Sequence, residues 1–62
     1  MKISKYIKDT RIKMKLTQEG FSKLLGVKRA TLANYERGYI DPSVTVFITI
    51  MKLRKKLNMK II

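Results

Sequence analysis

If the segment from Arg29 to Arg37 is helical, Ala30, Thr31, Ala33, Asn34 and Arg37 point away from Leu32, Tyr35 and Glu36, because residues three and four apart share a face, and Arg29 projects from its first turn. The fork of Arg29 matches O6 and N7 of guanine, and the amide of Asn34, one turn on, matches N6 and N7 of adenine. Ala30 and Thr31 suit a thymine methyl, and Ala33 keeps the surface low enough for close approach. This is the chemistry of reading base edges, in which a good bidentate contact gives about 1 to 3 kcal/mol of discrimination. Either Arg29 or Asn34 would alternatively reach a phosphate. Tyr35 falls on the core side, where packing is the simpler role, while Arg37 and Tyr39 are placed for phosphate.

Such a face needs a support, and the preceding residues provide one. Phe21, Leu24 and Leu25 recur at helical spacing, Thr17 is suited to cap that helix, and Gly26 ends it by adopting a left-handed conformation. Val27 returns to the core, and Gly38 stops the second helix as Gly26 stops the first. Two short helices joined by a glycine turn, the second with a small, polar and basic outer face, describe a DNA-binding helix-turn-helix.

The stretch resembles the helix-turn-helix of the Cro and phage-repressor family (xenobiotic-response-element type). The likeness is carried by Leu16, Thr17, Gln18, Phe21, Ser22, Leu25, Gly26, Val27, Thr31, Leu32, Ala33, Glu36 and Gly38. With Arg11 upstream and Asp41, Pro42 and Ser43 downstream, it covers roughly residues 5 to 45. It implies an all-α domain of four to five helices with the helix-turn-helix at helices 2 and 3. It implies further that Arg11 pairs with Glu36 as a structural ion pair fixing the third helix on the first, and that Gln18, with Thr17 beside it, contacts the DNA backbone. The free N–H groups at that helix start favour an anion in any case, although the two residues would alternatively do no more than cap it. This chain departs from the family at Gly20, where Glu or Ala is preferred, and at Lys28, where serine is the usual cap. Lysine cannot accept the capping N–H bond, but it gains a phosphate contact.

Composition narrows the function. The chain has 62 residues, no cysteine and no histidine, which excludes disulfides, thiolate metal sites and the usual general base, so no metal and no cofactor are expected. A single domain spanning 1–62 buries only about 60% of its unfolded surface and leaves no room for a deep catalytic pocket. Asp9, Glu19, Glu36 and Asp41 form no close pair, and an enzyme is not expected. Against these acids stand 15 Lys and Arg, for a formal charge of +11. Nucleic acid is the natural partner for that excess, and a lysine-rich surface kept for solubility is the bland alternative. The longest apolar run near the C terminus is broken by Thr49 and Lys52, short of a membrane span, and Lys2 and Lys5 interrupt any signal-peptide core. The expected location is the cytoplasm, on the nucleoid.

Upstream, Ile3, Ile7 and Met14 predict an amphipathic helix from Ile3 to about Lys15 with Ser4 as a plausible cap and most lysines solvated. Downstream, Asp41, Pro42 and Ser43 read as a cap followed by proline at the first helical position, opening a fourth helix with Val44, Phe47, Ile50, Met51 and Leu57 on one face and Asn58 as its C-terminal cap. The run from Val44 to Ile50 also has strand propensity, which leaves a Cro-like α+β alternative in which residues 44–50 and 57–62 pair as strands. Met59, Ile61 and Ile62 form an apolar tail suited to dimerisation or to packing within the monomer.

The function these features imply is a sequence-specific regulator of double-stranded DNA, phage-like or bacterial and a repressor by type, reading the major groove with helix 3 as a homodimer and without a small-molecule effector. The alternative is an antitoxin-like or antirepressor-like module whose C-terminal segment binds a protein. A cationic amphipathic protein at anionic membranes is a third class, in which the motif match would be accidental.

Overall fold

A computed structural model describes residues 2–59, with side chains through Leu57, as α1 (Ile3–Lys13), α2 (Gln18–Leu25), α3 (Arg29–Arg37) and α4 (Val44–Met59). No strand occurs among the described residues, so the fold is all-α and the strand alternative is overturned for residues 44–59. The dimerising tail at Ile61 and Ile62, and the side chain of Met59, lie outside the described residues.

The core gathers Ile7 from α1, Phe21 and Leu25 from α2, Leu32 and Tyr35 from α3, and Ile50 from α4. Each helix contributes only the residues that its 3.6-residue period brings inward. Four expected core positions fail that test: Leu24 is half exposed, Ile3 lies at the edge, and two more are lost because α4 is rotated relative to its predicted face. It packs Val46, Ile50 and Leu53 inward at i, i+4 and i+7 and leaves Val44 and Met51 in solvent. This packing overrides the β-propensity of the segment. Within α4 the Thr49 hydroxyl donates to the Thr45 carbonyl at 3.1 Å, which satisfies it without leaving the helix.

Helix ends differ from expectation at several points. α1 stops at Lys13 rather than Lys15, and Ser4 lies inside it; the N-cap is Lys2, with no side-chain cap bond. At α4 the cap is Ser43, whose Oγ accepts from the Val46 N–H at 3.3 Å, so Asp41 and Pro42 precede the cap rather than forming it. Asn58 sits within α4, which runs on to Met59.

The first three helices close alike. The Leu16, Val27 and Tyr39 N–H groups reach back to the Arg11, Ser22 and Asn34 carbonyls at 3.2, 3.0 and 3.0 Å, and each motif turns on one residue of positive φ. Those residues are Lys15 at 59°, Gly26 at 74° and Gly38 at 79°.

α4 is fastened to α1 by an arginine to which the sequence assigned no partner. Arg54 places Nη2 3.1 Å from Asp9 Oδ2 and donates through Nη1 to Thr10 Oγ1 at 2.9 Å. Its guanidinium lies 5.2 Å from the Tyr6 ring centre, and Tyr6 meets Phe47 at 5.9 Å between centroids. Thr10 is fully buried and satisfied, since its hydroxyl also donates to the Tyr6 carbonyl at 2.7 Å.

Candidate nucleic-acid interface

α3 is held by its inner edge. Leu32 and Tyr35 are buried in the core, and Glu36 next to them keeps only 4% of its side chain exposed. A carboxylate so placed requires partners. Arg11 supplies a two-pronged one: Nε lies 2.7 Å from Oε2 and Nη2 lies 3.1 Å from Oε1, while Nη1 donates to the Leu16 carbonyl at 3.0 Å. The Arg11–Glu36 pair is therefore present and spans α1, the α1–α2 loop and α3.

Gln18 joins the same cluster, donating Nε2 to Glu36 Oε1 at 3.2 Å. Sequence reasoning placed Gln18 toward phosphate and missed this contact, which no local signal announces because the partner lies 18 residues away. Its position in the first turn of α2 keeps it beside the free N–H groups there. Thr17 caps that helix, accepting from the Gly20 N–H at 3.0 Å, and remains exposed.

The outer edge of α3 is open. Arg29 and Ala30 are exposed, and Thr31, Ala33 and Asn34 are half-buried, as expected for the shoulders of a helix seated on a core. Lys28 is exposed at the N-cap, and its side chain makes no bond to the helix. Beyond the helix end, Arg37 lies 6.0 Å from the Tyr39 ring centre, and both side chains are exposed, which brings together two of the residues assigned to phosphate. Arg37 also lines a surface groove with Lys2, Ser4 and Asp41. Lys2 thus stands on the same side as Arg37, a neighbour hidden from the sequence because only the packing of α1 on α3 creates it.

Two short helices in contact through a left-handed glycine turn, the second clamped inside and bare outside, define a helix-turn-helix DNA-binding domain. A family model described as helix-turn-helix matches residues 7–53, and the chain belongs to this Cro/C1-type helix-turn-helix family. It is a family of DNA-binding transcription regulators rather than enzymes. No curated protein and no solved structure matched the chain. Among the described residues no helix is long and apolar enough to cross a membrane.

Proposed function

We propose that residues 1–62 act as one domain that represses transcription by occupying an operator, reading the major groove with the outer edge of α3. Arg29 and Asn34 contact base edges, with Ala30 and Thr31 against thymine methyls. Thr17, Gln18, Lys28, Arg37 and Tyr39 hold the phosphate backbone, and Lys2 joins them. The observation that carries this reading is the contrast across α3: Glu36 is locked by three hydrogen bonds from Arg11 and Gln18, whereas Arg29 and Lys28 are exposed and make no side-chain hydrogen bond or ion pair among the described residues. A rigid rod with an unoccupied polar edge is what direct readout requires.

The active species is a homodimer on DNA, since one recognition helix reads few bases and two-fold pairing sets two of them about 34 Å apart on one side of the duplex. Occupancy follows protein concentration, without a small-molecule effector, in the cytoplasm at the nucleoid. Selecting bound fragments from random duplex DNA tests the proposal. An inverted repeat with half-sites one helical turn apart is the expected product, and an unenriched pool would refute sequence-specific reading.

A further inference from the structure

A groove lies between the end of α1, α2 and α4, lined by Met14, Leu24, Leu53, Lys56 and Leu57 and enclosing about 250 Å³. Its floor is the core, on which Met14 and Leu53 pack. Leu24 forms one wall and is 50% exposed, whereas Phe21 and Leu25 of the same helix are buried. A half-exposed leucine alone is ordinary, but one that walls an apolar hollow between helices has the form of a site that receives a helix. No residue of α3 and no residue assigned to DNA lines this groove.

The rim is cationic. Lys56 lines the groove itself, and Lys52 lies one turn before it on the same edge of α4. Lys15 directly follows Met14. All three are exposed, and none has an ion-pair partner among the described residues. The acids stand elsewhere. Asp9 is paired with Arg54 and Lys13, Glu36 is held by Arg11, and Asp41 lines the groove near Lys2 and Arg37. Glu19 comes five residues before Leu24, on a different side of α2.

This combination selects the occupant. A phosphate backbone would use the lysines but not the apolar floor. A second copy would bring the same excess of +11, and the chain's own Lys60, Ile61 and Ile62 would add a cation to the rim. The volume falls below the roughly 300 to 1,000 Å³ of small-molecule sites and suits a pair of apolar side chains. From the apolar floor and the lysines around it we infer that this groove docks another protein through a short acidic amphipathic helix. Two apolar side chains one turn apart seat between Leu24 and Leu57, and carboxylates beside them face Lys15, Lys52 and Lys56. The apolar anchors hold the segment, while the screened rim charges add little affinity and reject cationic segments. The inference goes beyond the DNA-binding reading and does not depend on it, since docking and DNA reading use separate surfaces.

A synthetic helical peptide of about 15 residues, with two leucines one turn apart and glutamates along both flanking edges, is the probe. Methionine methyl NMR on the full chain locates it, because Met14 lines the groove while Met51, 48% exposed, lies on the opposite side of α4 from Lys56. The Met14 signal is expected to shift saturably below about 1 mM peptide, with Met51 unmoved. A scrambled peptide of the same composition and a lysine-for-glutamate version should each bind at least about tenfold more weakly. Leu24→Ser weakens binding about tenfold and keeps the helical circular dichroism spectrum, since Leu24 lies outside the core. Lys56→Glu weakens it about fivefold, whereas Lys5→Glu, the same change of charge at the other end of α1, costs less than about twofold. Equal binding of the scrambled peptide, or equal losses for Lys56→Glu and Lys5→Glu, would reduce the effect to diffuse charge attraction and overturn the site. So would a Met14 signal that does not move, or one that moves with protein concentration alone, which would put a second copy in the groove. A methyl contact between Ile61 and Met14 in the free protein would put the chain's own tail there and overturn it equally.

Discussion

At the residue scale, Lys28 and Arg29 are adjacent and both exposed, yet they occupy different positions in the motif. Lys28 is the N-cap and Arg29 the first helical residue, so in the proposed complex the first would face the backbone of the duplex and the second the groove floor. Arg29→Ala is therefore expected to relax base preference at one operator position, by about 1 to 3 kcal/mol of lost discrimination. Lys28→Ala should weaken selected and random duplexes alike and flatten the salt dependence. Competition binding with single-base operator variants separates the two, and equal losses on all sequences for both would place Arg29 on phosphate. Glu36 is tested by stability. Removing one partner of a buried pair costs about 3 to 5 kcal/mol, and a domain of this size has roughly 3 to 9 kcal/mol in total, so Glu36→Ala should be largely unfolded at 37 °C by circular dichroism. Replacing Arg11 and Glu36 together by Met and Leu should restore much of the lost stability, because no unpaired charge then remains buried.

At the element scale, the closures of the first three helices make the same chemical change act with opposite sign at different places. Gly26 has φ of 74°, so Gly26→Ala strains the backbone by about 1 to 2 kcal/mol even though a Cβ there would meet nothing within 4 Å. Gly20 lies inside α2 with helical geometry, and a Cβ would meet Thr17 Oγ1 at 3.4 Å and Leu16 Cδ2 at 3.7 Å, which is ordinary contact. Gly20→Ala should stabilise by about 0.5 to 1 kcal/mol. Lys15→Gly should stabilise by a similar amount, since Lys15 holds the left-handed position that Gly26 and Gly38 hold elsewhere. Thermal unfolding reads all three, with shifts of about 4 to 8 °C per kcal/mol. These closures also show what the sequence could disclose. Glycine advertised the ends of α2 and α3, whereas the lysine at the end of α1 did not, and α1 was read two residues too long. The α2–α3 unit and the Arg11–Glu36 pair were legible because their residues recur in a known spacing. The face of α4 was not legible, since Val44, Val46, Phe47, Ile48, Ile50 and Met51 spread over more than half of its circumference and only packing against α1 and α2 selects among them. Arg54 and Gln18 remained hidden for a related reason: their partners are distant in sequence and become neighbours only when the helices dock.

Across the whole molecule, the formal charge of +11 is distributed unevenly in function. Arg11 and Arg54 are engaged internally by Glu36 and Asp9, and Lys13 lies 3.6 Å from Asp9 as an exposed i,i+4 pair. The remaining exposed lysines are screened by ordinary salt and add a diffuse field that speeds encounter with DNA without fixing a register. Among the proposed phosphate contacts, Lys2, Lys28 and Arg37 are the cations, so these would be the ones to release counterions on binding. With a slope of about −0.9 per neutralised phosphate, one copy should give a logarithmic salt dependence of roughly −3 and a two-fold dimer roughly −5. The two cases are distinguishable by titrating a selected duplex between about 50 and 200 mM salt. A slope near −5 would mean that two copies share the duplex, and one near −3 that a single copy binds. A slope near −10 would instead mean that the general lysine surface contacts the duplex, and the division between reading face and solvated face would have to be redrawn.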